Sequence, residues 1–150
     1  VTLANELQAL FDEVSAGFAA NDFDRVRPLW DADDPAPFYA AEEHETLVTS
    51  WPELEAYWAA TRDINAGGCV ARWTVAAAKP LGDAHAVAQF TLDWKIHVRG
   101  QPEPFGGFCR GLAVCRRTPA GWRFAAYTEA PLAPLTYLRK LYVRVGRDIA

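Results

Sequence analysis

The stretch C-V-A-R-W-T-V-A-A-A-K-P-L-G-D-A-H-A-V-A-Q-F-T-L-D-W-K-I-H-V, residues 69–98, decides the fold. Its second half alternates strictly. Ala86, Ala88, Phe90, Leu92, Trp94, Ile96 and Val98 point one way; His85, Gln89, Thr91, Asp93, Lys95 and His97 point the other. That period of two belongs to a strand with one buried face. A two-residue turn at Gly82-Asp83 joins it to the preceding strand and fixes the register, because turn length sets which residues face each other. Trp73 then faces Leu92, Val75 faces Phe90 and Arg72 faces Asp93. One face of the hairpin is an aromatic floor, and the other is a polar surface on which Arg72 and Asp93 are cross-strand partners.

Downstream, residues 106–117 and 122–129 form a second strand pair around the loop Thr118-Pro119-Ala120-Gly121. A four-residue loop puts Cys109, Gly111, Ala113 and Cys115 on one face with Trp122, Phe124, Ala126 and Thr128. Arg110, Leu112, Val114, Tyr127 and Glu129 fall on the other face, with Arg110 opposite Glu129.

Upstream the period changes to that of helices. Leu3, Leu7, Leu10, Val14 and Phe18 make the apolar stripe of a helix over residues 3–20. Asn21-Asp22 ends it, and Asp22 can cap a second helix over about 23–31. Residues 38–41 and 46–49 read as a short hairpin around Glu42-Glu43-His44-Glu45. Ser50-Trp51-Pro52-Glu53 has the form of a capping box and opens a helix to about residue 64. Beyond Pro131 and Pro134, Leu135, Leu138, Leu141, Tyr142 and Val145 form the stripe of a last helix, about 134–146, which is expected to close the open end of the sheet or to serve assembly.

At 150 residues and 51% hydrophobic composition the chain suits one globular domain with a substantial core. No run approaches the ~20 apolar residues of a membrane span. The start, V-T-L-A-N-E-L, lacks the basic-then-apolar order of a signal peptide. Cys69, Cys109 and Cys115 are odd in number and without C-x-x-C spacing, which favours free thiols in a reducing compartment. A cytoplasmic location is therefore expected. His44, His85 and His97 are scattered, so no metal site is expected. Residues 1–65 hold 14 acidic and 3 basic side chains, and residues 66–150 hold 5 and 12. The basic residues are spread singly along strands, which points away from nucleic acid.

The order helix, helix, small hairpin, helix, then four long antiparallel strands makes an α+β domain. It resembles the nuclear transport factor 2-like superfamily, and within it the SnoaL-like group that includes polyketide cyclases and ketosteroid isomerases. The carriers are F-A-A-N-D-F-D-R-V-R-P-L-W-D-A-D-D-P (18–35), S-W-P-E-L-E-A-Y-W (50–58) and R-G-L-A-V-C-R-R-T-P-A-G-W-R-F-A-A-Y-T-E-A-P (110–131). The resemblance implies a single domain with a core at about 3–130: a cone-shaped curved antiparallel sheet wrapped around the N-terminal helices, with an additional C-terminal helix. It also implies an apolar pocket at the wide end of the cone, and a homodimer. The ketosteroid isomerase acid–base set is missing. Positions matching its tyrosine, base and buried acid read Val14, Tyr39 or Ala40, and Ala113. The H-x-H-x-S found on the last strand of many relatives reads Ala126, Thr128 and Ala130 at its three named positions.

The expected ligand pocket comprises Trp30, Tyr39, Tyr57, Trp73, Phe90, Trp94, Cys109 and Thr128, with Tyr39 and His44 as candidates for proton transfer. The ligand expected is a small apolar or aromatic molecule. Any chemistry on it would be cofactor-free isomerisation, lyase, dehydration or cyclisation. The competing expectation is a non-catalytic domain whose sheet serves dimerisation or partner binding.

Overall fold

The computed structural model describes residues 1–132 together with Arg139 and Val143. The expected last helix, about 134–146, otherwise lies outside the described residues. Helix α1 (Leu3–Ala20) starts at Thr2, whose hydroxyl accepts the Asn5 N–H, and stops at Asn21, where φ of 53° breaks the helical path. Asp22 accepts from the Arg25 N–H and opens α2 (Phe23–Val26). The expected helix to residue 31 is shorter: Pro28 has no N–H to donate, and the chain tightens into a 3₁₀ turn over Arg27–Leu29. Strand β1 (Phe38–Ala40) precedes α3 (Trp51–Ile64). The small hairpin reduces to one antiparallel pair, Tyr39 with Val48. The expected capping box does not close: the Ser50 side chain makes no cap hydrogen bond, and Glu53 accepts instead from the N–H of Thr49, one residue before the cap, at 2.9 Å.

Strands β2 (Asn65–Leu81), β3 (His85–Val98), β4 (Phe105–Thr118) and β5 (Gly121–Pro131) follow. The sheet order is β1-β5-β4-β3-β2. Long strands pair antiparallel, but β1 joins β5 in parallel, so the sheet is mixed. The curved, unclosed sheet wraps α1. Leu7 and Phe11 are fully buried against it, and the Phe11 ring lies 5.2 Å from Phe90 and 5.0 Å from Phe124.

In the first hairpin Trp73 faces Leu92, Val75 faces Phe90 and Arg72 faces Asp93, as expected. The turn is not the expected one. Leu81 pairs with His85 across a three-residue loop, and a bulge between Val75 and Ala77 restores the register. Gln8 of α1 fastens that irregularity: its amide donates to the Trp73 carbonyl at 3.0 Å and its oxygen accepts from the Val75 N–H at 2.7 Å. In the second hairpin the pairing from Thr118–Gly121 to Cys115–Phe124 keeps the expected register, but the strands run further than expected and the loop is the two residues Pro119 and Ala120. A bulge at Ala125 then shifts the rest by one: Val114 pairs with Ala126, Ala113 with Tyr127 and Gly111 with Glu129. Arg110 therefore faces Ala130 and not Glu129.

Candidate functional site

A one-residue bulge exchanges the two faces of every residue beyond it. Before Ala125, Phe124 points inward and is 2% exposed; after it, Tyr127 points inward at 6% and Thr128 is exposed. Ala126 and Thr128, expected to line the interior, thus alternate onto the outer side. Tyr127 and Glu129, expected on the outside, enter the concave side.

There Glu129 reaches a cavity of about 260 Å³ between α3, the rim of residues 42–45 and the wide end of β2–β5, and Tyr127 stands behind its wall, hydrogen-bonded to Trp73. Aromatic rings make much of its wall: Phe18, Tyr39, Tyr57, Trp73, Trp94 and Phe105. Leu92, Ile96 and Cys69 fill between them, and Glu43 and Glu129 bring carboxylates to it.

Hydrogen bonds organise the polar edge. Trp73 Nε1 donates to the Tyr127 hydroxyl at 2.8 Å, and that hydroxyl donates to Glu129 Oε1. Glu129 Oε2 accepts from the Glu42 N–H at 3.1 Å, tying β5 to the rim. Trp94 Nε1 donates to Glu42 Oε1, and the Tyr57 hydroxyl donates to Glu43 Oε1, each at 2.8 Å. The Tyr39 and Tyr57 hydroxyls are 3.4 Å apart. His44 turns back on its own loop, where Nδ1 accepts the Ala41 N–H at 3.4 Å, and its ring meets Tyr57 edge-on at 4.5 Å.

Burial raises the Glu129 carboxyl above the usual range; bonds from Tyr127 and the Glu42 N–H oppose the rise, while the nearby Glu43 and Glu42 charges add to it. Burial likewise holds the hydroxyls of Tyr39, Tyr57 and Tyr127 protonated far above the phenol range. The Cys109 thiol, buried beneath Glu129, is pushed up to about 12 by desolvation first and the Glu129 charge second, which leaves it a poor nucleophile.

Of the residues expected at a pocket, Tyr39, Tyr57, Trp73 and Trp94 meet at this cavity. Trp30 and Phe90 are packed into the core, 4% and 2% exposed. Cys109 is buried, and Thr128 is on the other side of the sheet. Val14 and Ala113 are core residues. Sequence reasoning missed Glu129, Tyr127, Glu42 and Glu43. One signal was available: the large apolar side chains of the last strand fall at 122, 124 and 127, and the step from two to three marks a bulge. Among the described residues, no group of three or more His, Cys, Asp or Glu side chains is placed to hold a metal ion.

Comparison with known proteins places this geometry in a family. No curated protein matches the sequence. Solved structures match the fold. A protein from Novosphingobium aromaticivorans, assigned provisionally as a scytalone dehydratase, superposes with TM-score 0.76 at 6% identity, over 86% of this chain and 83% of its own. A nuclear transport factor 2-like superfamily protein from Salmonella enterica gives 0.74 at 15% identity, over 88% and 92%. A ketosteroid isomerase-like protein from Erwinia carotovora gives 0.69 at 10%, over 87% and 97%. At such identities the likeness is one of fold. The family model for the SnoaL-like domain matches residues 7–134. With that match over most of its length and the cone-like α+β architecture around it, the chain belongs to the SnoaL-like family of the nuclear transport factor 2-like superfamily.

Proposed function

We propose that the aromatic-walled cavity binds a small cyclic or aromatic molecule and that Glu129 moves a proton to or from it without a cofactor. One observation carries the reading: the bulge at Ala125 delivers a carboxyl of raised pKa to an apolar cavity, hydrogen-bonded on both oxygens. A carboxylate whose pKa is moved toward neutrality is a better general base than an exposed one. At about 260 Å³ the space is slightly under the ~300–1,000 Å³ typical of small-molecule sites, which suits one or two fused rings. Tyr39 keeps its proton, and its O–H, engaged only by the 3.4 Å contact with Tyr57, can turn to a ligand oxygen on which charge develops, while the Tyr57 proton stays on Glu43. Isomerisation, dehydration and cyclisation all begin with such a proton transfer. The isomerase-like and dehydratase-like names among the fold relatives agree with this class.

The test is proton exchange in deuterium oxide. A panel of one- and two-ring ketones with acidic α-hydrogens is followed by NMR with wild type and Glu129→Gln. Exchange is expected with wild type, falling ~10²–10⁴-fold in the variant. No enhancement by wild type, or equal rates in the two proteins, would overturn the catalytic role.

A second reading, homodimerisation through the outer sheet face, is favoured by Val70, Phe108 and Leu112. These are 47%, 40% and 44% exposed there, interleaved with Arg72, Asp93 and Arg110. Such a mixture can be self-complementary across a two-fold axis. Light scattering at micromolar concentration is expected to give twice the chain mass; a monomer mass removes this reading. The three free thiols suit a reducing compartment such as the cytoplasm.

A further inference from the structure

The charge around the cavity narrows its ligand. Among the described residues, the side chains that line it include two carboxylates, Glu43 and Glu129, and no lysine, arginine or histidine. A third carboxylate, Glu42, is held at the rim by Trp94. Among the described residues the ion pairs fall elsewhere, on Glu6, Glu13, Asp31, Asp33 and Glu55. The hydrogen bonds to Glu42, Glu43 and Glu129 come from neutral donors: an indole, two phenols and a backbone N–H. Neutral donors solvate a carboxylate without cancelling its charge. The six aromatic side chains of the wall also carry electron-rich ring faces. Carboxylates and ring faces both attract a cation, and both repel an anion, the more strongly where water is partly excluded.

We infer that the cavity takes a ring compound bearing a protonated amine, with the ring against the aromatic wall and the ammonium at Glu43, and that it turns away the corresponding carboxylate. The inference rests on the cavity being the ligand site, as proposed above. The ammonium can donate to Glu43 from the open side of the rim, where this carboxylate is exposed. Glu129, deeper and less exposed, stays available for proton transfer. The two carboxylates thus divide the work: Glu43 selects the charge of the ligand and Glu129 acts on its ring.

Three probes of equal shape test this on the full chain: naphthylmethylamine, naphthylmethanol and naphthalene carboxylate. Binding is read at neutral pH by calorimetry. The amine is expected to bind about tenfold or more tighter than the carboxylate, with the alcohol between, since one charge-assisted contact is worth roughly a factor of ten. Glu43→Gln is expected to bring the amine down to the alcohol without changing the alcohol. Glu45→Gln, an exposed neighbour with the same effect on net charge, is expected to leave the amine preference intact. If the alcohol or the carboxylate binds as tightly as the amine, or if both variants lower the amine equally, the charge inference is overturned while the cavity remains a ligand site. If none of the three probes binds, the ligand-site reading fails and the inference fails with it.

Discussion

Each hairpin of the sheet has a bulge a few pairs from its turn, and these two bulges have opposite consequences; a further irregularity, between Asn65 and Cys69, lies at the far end of β2. In β2–β3 the irregularity next to Ala76 lies between the turn and the aromatic floor, and the loop is one residue longer than a two-residue turn. The two deviations cancel, so Trp73 still faces Leu92. In β4–β5 the strands leave the turn in the expected register and nothing offsets the bulge at Ala125. Everything beyond it changes face, and the residues so exchanged are those of the candidate site. Alternation specifies which residues share a face only up to the next irregularity. A bulge therefore lets one strand serve the core with Phe124 and the cavity edge with Tyr127 and Glu129.

Side-chain removal beyond each bulge tests the comparison with the largest expected effect. Tyr127, turned inward by the extra residue Ala125, stacks on Tyr39 and Phe90 at 5.1 and 4.9 Å. Tyr127→Ala is expected to cost about 3–5 kcal/mol, as for removal of a large core side chain. Thr128→Ala, at its exposed neighbour, is expected to change stability by no more than about 0.5 kcal/mol. In the first hairpin, where the deviations cancel, Trp73→Ala and Thr74→Ala are expected to show the same contrast in the order that unbroken alternation gives. Urea melts of the four variants measure it. A larger loss for Thr128→Ala than for Tyr127→Ala would mean that the bulge at Ala125 does not exchange the faces of β5.

A smaller effect is expected where the hairpins meet. Gly111 pairs with Phe90 on one side and with Glu129 on the other. A Cβ there would come within 2.2 Å of the Thr128 carbonyl oxygen and 2.3 Å of the Phe90 ring, so backbone and ring must both give way. Gly111→Ala is expected to cost about 1–3 kcal/mol by overpacking. At Gly107 a Cβ would meet Trp94 at 3.2 Å, a tight contact with a ring edge instead of backbone, and Gly107→Ala is expected to cost less. Thermal melts rank the two variants, and the reverse order would show that β5 yields at Gly111 more easily than its pairing suggests.

Legibility in the sequence follows the same division. The helices, the long strands and the aromatic floor could be read because apolar periodicity and turn residues encode them directly. Tyr39, Tyr57, Trp73 and Trp94 were readable as a set because large aromatic side chains on inward positions leave few other places to go. Glu129 was harder to read, since its role depends on Phe124-Ala125-Ala126, a bulge marked by neither glycine nor proline and signalled only by the three-residue step from Phe124 to Tyr127. The rim carboxylates were hidden for a different reason. Glu42-Glu43-His44-Glu45 has the composition of a solvated loop, and only tertiary contact with Trp94, Tyr57 and β5 gives it a partner.

The smallest expected effect separates two carboxylates that the second hairpin holds in contrary states, one on either side of its bulge. Asp31 docks on the turn end, where its N–H donates to the Phe124 carbonyl at 2.9 Å and its side chain accepts a bidentate pair from Arg116 of β4. That guanidinium lowers the Asp31 carboxyl below its ordinary value despite burial. Its unfolded pKa is about 3.9, so Asp31 contributes stability above that pH and loses it as pH falls through the lower folded value. Glu129, beyond the bulge, has the opposite sign: burial raises its carboxyl. Below about pH 4.3 both states of the protein hold that proton and the contribution of Glu129 is complete; as pH rises through the higher folded value it is lost. Asp31→Asn is therefore expected to destabilise at neutral pH and to converge on wild type in acid. Glu129→Gln is expected to compare worst with wild type in acid and to gain on it as pH rises toward neutrality. Urea midpoints across the acid-to-neutral range measure both differences. Parallel pH profiles for Glu129→Gln and wild type would show that Glu129 ionises as an ordinary surface carboxylate, and that the bulge supplies a side chain to the cavity without altering its chemistry.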